Sequence, residues 1–360
     1  MKIGKYEIKH PIIQGGMGVG ISWDRLAGTV SKEGGLGVIS SVGTGYYKNV
    51  SEDVNIVLRK DKPKDVMNFY SRDAFFEIVE NARKICGDAP IGCNILYACN
   101  DYGRMVKDAC EAGINIIITG AGLPTNMPEF TQDYPDVALV PIVSSARALK
   151  LICKKWKKYN KVPDAIIVEG PLSGGHQGFK YEDCFKEEFQ LENIIGPVIE
   201  EAKNWGEDIP IIAAGGVWDK NDIDKFIAMG CTGVQMATRF IGTYECDASP
   251  VLKDVLLNAK EEDIKLGKSP VGLPARRVVT KLQETIEDGT APKVVCISNC
   301  VAPCHRGVEA RAVGYCIADR LGAAYQGDLD TGLFFTGSNG YRVNKIISVH
   351  ELLEKLTKGE

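Results

Sequence analysis

Short β-branched runs recur along the first two thirds of the chain, at His10–Gln14, Leu36–Ser40, Ile91–Leu96, Asn115–Thr119, Ala138–Val143, Ala165–Glu169, Ile209–Ala213 and Gly233–Met236. They are apolar without alternation, as strands are when both faces are buried in a parallel sheet. Amphipathic helical patterns separate them, at Arg72–Cys86, Arg104–Ala112, Ala146–Tyr159, Glu192–Trp205 and Asp222–Met229. Asp219 and Asn221 offer caps for the last of these, and Gly113 and Gly230 follow helices as chain-reversing residues do. Eight strand–helix units predict an α/β fold, a (β/α)8 TIM barrel. An open doubly wound sheet is the structural alternative. Two connections break the rhythm, Gly43–Ser71 and Pro171–Gln190, and long loops at one barrel end are where ligand contacts concentrate. After residue 245 the alternation stops. The expected division is a barrel over residues 1–245 and a mainly helical extension over 246–360 that caps the substrate side.

Composition narrows the function. Among 360 residues, 43 Lys+Arg against 47 Asp+Glu give a net charge of −4, which argues against a general nucleic-acid binder. The start, Met1 to Pro11, has no long apolar run and reads as no signal peptide, and no stretch reaches the ~18 apolar residues of a membrane span. A cytoplasmic protein is expected, with no membrane partner and with homo-oligomerisation left open. Of the twelve cysteines, Cys93, Cys99, Cys153 and Cys231 sit singly in apolar segments and read as reduced packing thiols.

Two glycine-rich segments are decoys. Gly15-Gly16-Met17-Gly18-Val19-Gly20 fails the dinucleotide spacing, because position 21 is Ile21; Gly267-Lys268-Ser269 fails the P-loop spacing, because position 262 is Glu262. What survives is a glycine turn after the first strand, where backbone N–H groups can approach a flat or charged ligand or merely make a tight turn. Ala214-Gly215-Gly216 ends the seventh strand and Gly233–Arg239 ends the eighth. In barrels these two loops commonly hold phosphate, which favours that role here for Gly216 and Thr238. Glu169–Gly178 follows the sixth strand and sets His176 between glycine pairs. There an imidazole can take or give a proton, or simply shape the loop. A late segment, Phe335–Arg342, is the weakest candidate: Gly337 and Gly340 bracket polar groups that can return to the active-site mouth, and a turn before a final helix is the preferred reading.

Pro11–Met17, Ser173-Gly174-Gly175-His176, Ala213–Val217 and Gly233–Phe240 together resemble the nitronate monooxygenase (2-nitropropane dioxygenase-like) family, which also holds flavin-dependent enoyl-acyl-carrier-protein reductases. The resemblance spans roughly Met1 to Glu245. It implies an FMN-containing barrel acting on a small molecule and O2, oxidising alkyl nitronates to a carbonyl compound and nitrite. It further implies that Gly16, Met17 and Asn94 contact the flavin ring and that Gly174 and Gly175 approach the flavin or its ribityl chain. Gly215, Gly216, Gln235, Met236, Ala237 and Thr238 would hold the phosphate, and His176 would be the catalytic histidine. Glu169 stands where the family often has Gln, placing a second anion near the flavin. Ala237 replaces a common glycine, and Pro171-Leu172 departs from the commoner form of that loop.

Two other functions stay open at this point. One is an FMN-dependent NAD(P)H enoyl-acyl-carrier-protein reductase. The other is a metal or iron–sulfur module built on Cys296, Cys300, Cys304 and Cys316, four thiols in 21 residues. Their spacing matches no standard zinc or ferredoxin pattern, so packing thiols are preferred and no metal ligand is assigned.

Overall fold

A computed structural model describes residues 1–47, 69–206, 208–291 and 293–359. Most of the lengthened connection expected over Gly43–Ser71 falls on residues 48–68, outside the described residues.

After a small hairpin of β1 (Lys2–Ile3) and β2 (Tyr6–Glu7), the eight expected strands form one parallel sheet. They are β3 (Ile12–Gln14), β4 (Gly37–Ser40), β5 (Ile91–Leu96), β6 (Ile116–Gly120), β7 (Ala138–Val143), β8 (Ile166–Glu169), β10 (Ile211–Ala214) and β11 (Gly233–Met236). The sheet order is β3-β11-β10-β8-β7-β6-β5-β4, and a parallel bridge between Ile13 and Leu36 closes the ring. The open-sheet alternative is thereby excluded.

Two apolar cores explain the uninterrupted apolar runs. Ile13, Val38, Ile118, Val140, Ile167, Ile212 and Ala214 fill the barrel interior. Their neighbours in sequence, such as Ile39, Ile117, Leu139, Ile166 and Val168, pack outward against the helical shell. Both faces of each strand are therefore dry. At Gly37 the strand lies so close to the helix Asp24–Lys32 that an added Cβ would fall 1.8 Å from Ala27 O.

Caps set the helix starts. Ser71 and Ser145 accept from Ala74 N and Ala148 N. Asp219 forms a capping box with Asp222, so Asn221 lies inside the helix Lys220–Ala228 rather than capping it. The helix Asp24–Lys32 is capped from far away. The Asp247 carboxylate accepts from Trp23 N at 2.8 Å, Leu26 N at 3.2 Å and Arg25 N at 3.3 Å.

The chain beyond residue 245 contains helices, including Pro250–Asn258 and Ile317–Tyr325, and one antiparallel hairpin, β12 (Ile264–Gly267) with β13 (Ala275–Val278). Sequence patterning gives no sign of this hairpin. Its third strand is β9 (Gly175–His176), from the loop after β8. The last helix, Val349–Lys358, packs against Lys220–Ala228 and Asp24–Lys32, in the gap between the seventh and first helices of the ring. Among the described residues no helix is long and apolar enough to cross a membrane.

Candidate functional site

At the carboxyl end of the barrel lies a cavity of about 850 Å³. All thirteen sequence-derived site residues line it: Gly16, Met17, Asn94, Glu169, Gly174, Gly175, His176, Gly215, Gly216, Gln235, Met236, Ala237 and Thr238.

Strand alternation explains three of them. Ile167 points into the barrel, so Glu169, two residues on, does too. Ala214 points inward and pairs with Gln235; inward Ile118 pairs with Asn94. The mouth thus presents an amide, a carboxyl and a second amide from three strands. Gln235 is 9% exposed, and its Oε1 has no hydrogen-bond partner. A buried carbonyl without a donor costs free energy that a bound ligand's donor would recover. Glu169 is half-buried, and burial pushes its carboxyl up to about 7.

The glycines form walls by having no side chain. A Cβ on Gly16 would stand 2.4 Å from Asn94 Cβ, and one on Gly174 would stand 2.7 Å from Thr336 C. The loops after β10 and β11 meet the late segment, which the sequence reads first as a turn and second as a return to the site mouth. Gly337 N donates to Thr238 Oγ1 at 2.8 Å, Asn339 Nδ2 donates to Gly216 O at 2.7 Å, and Ser338 N donates to Leu172 O at 3.1 Å. Phe335 through Asn339 line the cavity. Arg239, which the sequence leaves between an ion pair and a surface position, donates to Trp218 O at 2.5 Å and lies over the Trp218 ring.

His176 is half-buried on β9, paired with Ala275 of β13. Its Nε2 lies 2.7 Å from Ser269 Oγ, and Phe335 packs edge-on at 5.4 Å. Ser269 also accepts from Val271 N at 3.3 Å. Burial, then the charge of Arg277, lowers the imidazole to about 4. It is neutral at pH 7. Arg277 is held by Tyr315 Oη, Lys268 O and Gln283 Oε1. Arg276 is buried too, and its Nη1 donates to Ser173 O at 2.8 Å and to Pro171 O, fixing the loop that carries the histidine.

Sequence reasoning missed Ser269, Arg276 and Arg277. Ser269 belongs to the rejected P-loop decoy; its place in a hairpin turn beside His176 depends on pairing across about a hundred residues. Among the described residues, no three His, Cys, Asp or Glu groups already stand together as a metal site, and all twelve cysteines are free thiols.

The nitronate monooxygenase family profile matches residues 1–359. A probable nitronate monooxygenase of Staphylococcus saprophyticus is 28% identical over 287 residues, covering 76% of this chain and 77% of that protein. The structure of FabK from Thermotoga maritima superposes with a TM-score of 0.73 at 25% identity, covering 98% of this chain and 93% of that one. A nitroalkane oxidase from Streptomyces ansochromogenes superposes with a TM-score of 0.70 at 20% identity, covering 98% and 96%, and so supports the fold alone. The matched profile spans the barrel, the histidine loop and the segment Phe335–Asn339 alike, and the chain belongs to the nitronate monooxygenase family of oxidoreductases.

Proposed function

We propose that the protein is an FMN-dependent nitronate monooxygenase, oxidising alkyl nitronates with O2 to a carbonyl compound and nitrite. One observation carries the reading: the unpartnered, buried Gln235 Oε1 faces a cavity of about 850 Å³ that also collects the two glycine loops and a neutral histidine. The volume lies within the usual range for cofactor sites.

The residues suit FMN. Asn94 and the Gly16–Met17 backbone would meet the ring. Glu169, Gly174 and Gly175 would flank the ring and ribityl chain. Gly215, Gly216 and Gln235 through Thr238 would hold the phosphate. Thr238 Oγ1 accepts from Gly337 N, which leaves its own proton free to donate to an anion. When bound, FMN supplies the electron transfer and the reaction with oxygen. His176, neutral at pH 7, removes the carbon-bound proton of a nitroalkane or donates a hydrogen bond to a nitronate oxygen, depending on which ring nitrogen carries hydrogen. Residues 246–360 act as the cap, supplying Ser269, Val271 and Phe335 beside the histidine.

The test is to release and identify the bound cofactor, then reduce the holoenzyme anaerobically with a nitronate and with NAD(P)H side by side. Bleaching by the nitronate supports the oxygenase. Bleaching by NAD(P)H alone assigns the enoyl reductase instead. A colourless protein that refuses FMN overturns both.

A further inference from the structure

Charged and apolar residues are segregated around the large cavity. Among the described residues, its ionisable side chains other than His176 and Cys300 are Arg147, Glu169, Lys180, Asp183 and Arg239, all from the ends of β7, β8 and β11 or the chain just after them. The loops after β4, β5 and β6 and the chain beyond residue 245 line the other side with Val42, Leu96, Ala98, Val301, Ile317 and Leu321. That apolar wall is held in place. Ala302 N donates to Ala98 O at 2.9 Å, and Cys99 pairs with Val301 in an antiparallel bridge. Tyr46 Oη donates to Ala318 O at 3.0 Å, and a Cβ on Gly322 would lie 2.5 Å from Tyr46 Oη. The helix Ile317–Tyr325 is thereby fixed against the chain after β4. Val42, Val301, Ile317 and Leu321 are only 5–8% exposed, and what they expose to the cavity is apolar surface that an apolar ligand would remove from water.

The charged side offers two cations. A Cβ on Gly178 would lie 2.5 Å from Ser144 Oγ, so the loop that carries His176 and Lys180 runs against the start of the helix Ala146–Trp156, which carries Arg147. Arg147 and Lys180 are exposed, and among the described residues neither side chain has a hydrogen bond or an ion pair. The other charges on this side are occupied or buried. Asp183 is paired with Lys186 at 2.6 Å, Arg239 donates to Trp218 O, and the Glu169 carboxyl is half-buried at the barrel mouth.

We propose that the substrate is an anionic amphiphile, its nitronate head held beside His176 by Arg147 and Lys180 and its alkyl chain laid along Val42, Leu96, Ala98, Val301, Ile317 and Leu321. The identity of the head rests on the nitronate reading above; the tail follows from the wall alone. β4, β5 and β6 stand side by side at ~4.8 Å spacing, so the wall spans roughly 10 Å, the length of an alkyl chain of about eight carbons. A two- or three-carbon nitronate would leave most of this wall wet.

Alkyl carboxylates are unreactive probes of this shape, because a carboxylate and a nitronate are both planar anions with two oxygens on one atom. Butanoate, hexanoate and octanoate are titrated by calorimetry into the full chain as purified, at pH 6, where burial keeps the Glu169 carboxyl protonated. Affinity should rise about fourfold per methylene, roughly 200-fold from butanoate to octanoate. Octylammonium, with the same tail and a cationic head, should bind about tenfold more weakly than octanoate or worse. Ala98→Phe narrows the apolar side and should bring octanoate down to the affinity of butanoate; the wild-type series decides where that variant does not fold. Affinity that stays flat or falls with chain length, or octylammonium binding as tightly as octanoate, overturns the proposal. Length-dependent carboxylate binding without flavin bleaching by any nitronate supports the amphiphile and removes only the nitronate chemistry. Bleaching by short nitronates with no gain from chain length does the reverse.

Discussion

Replacing His176 by Asn separates proton removal from hydrogen bonding. Asparagine is polar and close in size, but it cannot serve as a base near neutral pH. With a neutral nitroalkane, a positioned general base contributes about 10²- to 10⁴-fold, so kcat/KM should fall by that factor. With the preformed nitronate there is no proton to remove. Only a hydrogen bond of about 0.5–1.5 kcal/mol is at stake, a loss of roughly 2- to 13-fold. The pH profile gives a second readout. Burial and Arg277 hold the folded imidazole near 4, below its ordinary 6.5. Wild-type kcat/KM for the nitroalkane should therefore show no limb at 6.5 from this group and should fall only as pH approaches about 4. The same shift affects stability. Between about pH 4 and 6.5 the unfolded chain carries a proton that the folded chain lacks, so stability rises with pH across that window, by at most about 3 kcal/mol. Steady-state rates on both substrate forms, in oxygen-saturated buffer, provide the assay. Equal losses on the two forms, or a limb at pH 6.5 that the Asn variant abolishes, would refute the role assigned to His176.

Three further outcomes are expected. Glu169 titrates near 7, so above that pH a carboxylate joins an anionic substrate in one cavity. At roughly 7 Å and an effective dielectric of about 20 the repulsion is about 2 kcal/mol, so the nitronate KM should rise tenfold or more with pH, and Glu169→Gln should flatten the rise. Ser269→Ala removes the 2.7 Å partner of His176 and should lower kcat by about 2- to 13-fold with little change in KM; an unchanged kcat would show that the imidazole is oriented without it. Asp247→Ala uncaps the helix Asp24–Lys32 by removing the acceptor of three N–H groups, and urea unfolding should show a loss of about 2 kcal/mol.

The barrel was legible because each of its strands carries its own signal. Ile91–Leu96 or Ala138–Val143 is buried on both faces and apolar throughout, whatever lies elsewhere in the chain. The glycine loops were legible for a related reason, since a missing Cβ at Gly16 or Gly174 is a local fact with a local cause. The histidine's surroundings were not. Strand β13 reads Ala-Arg-Arg-Val, and two consecutive buried arginines look like a solvated face until the carbonyls of Pro171, Ser173 and Lys268 are brought to them by the fold. Gly337 and Asn339 likewise acquire meaning only from partners about a hundred residues away.

The strand that bears His176 is paired with chain about a hundred residues downstream, and the final helix fills the last gap in the ring. During synthesis all eight staves of the barrel can emerge before the hairpin that orients the imidazole has been made. A nascent or truncated chain ending near residue 245 would have most of the vessel but neither the β13 partner of His176 nor Ser269 beside it. If His176 is the base, proton transfer depends on chain that is made after the barrel strands.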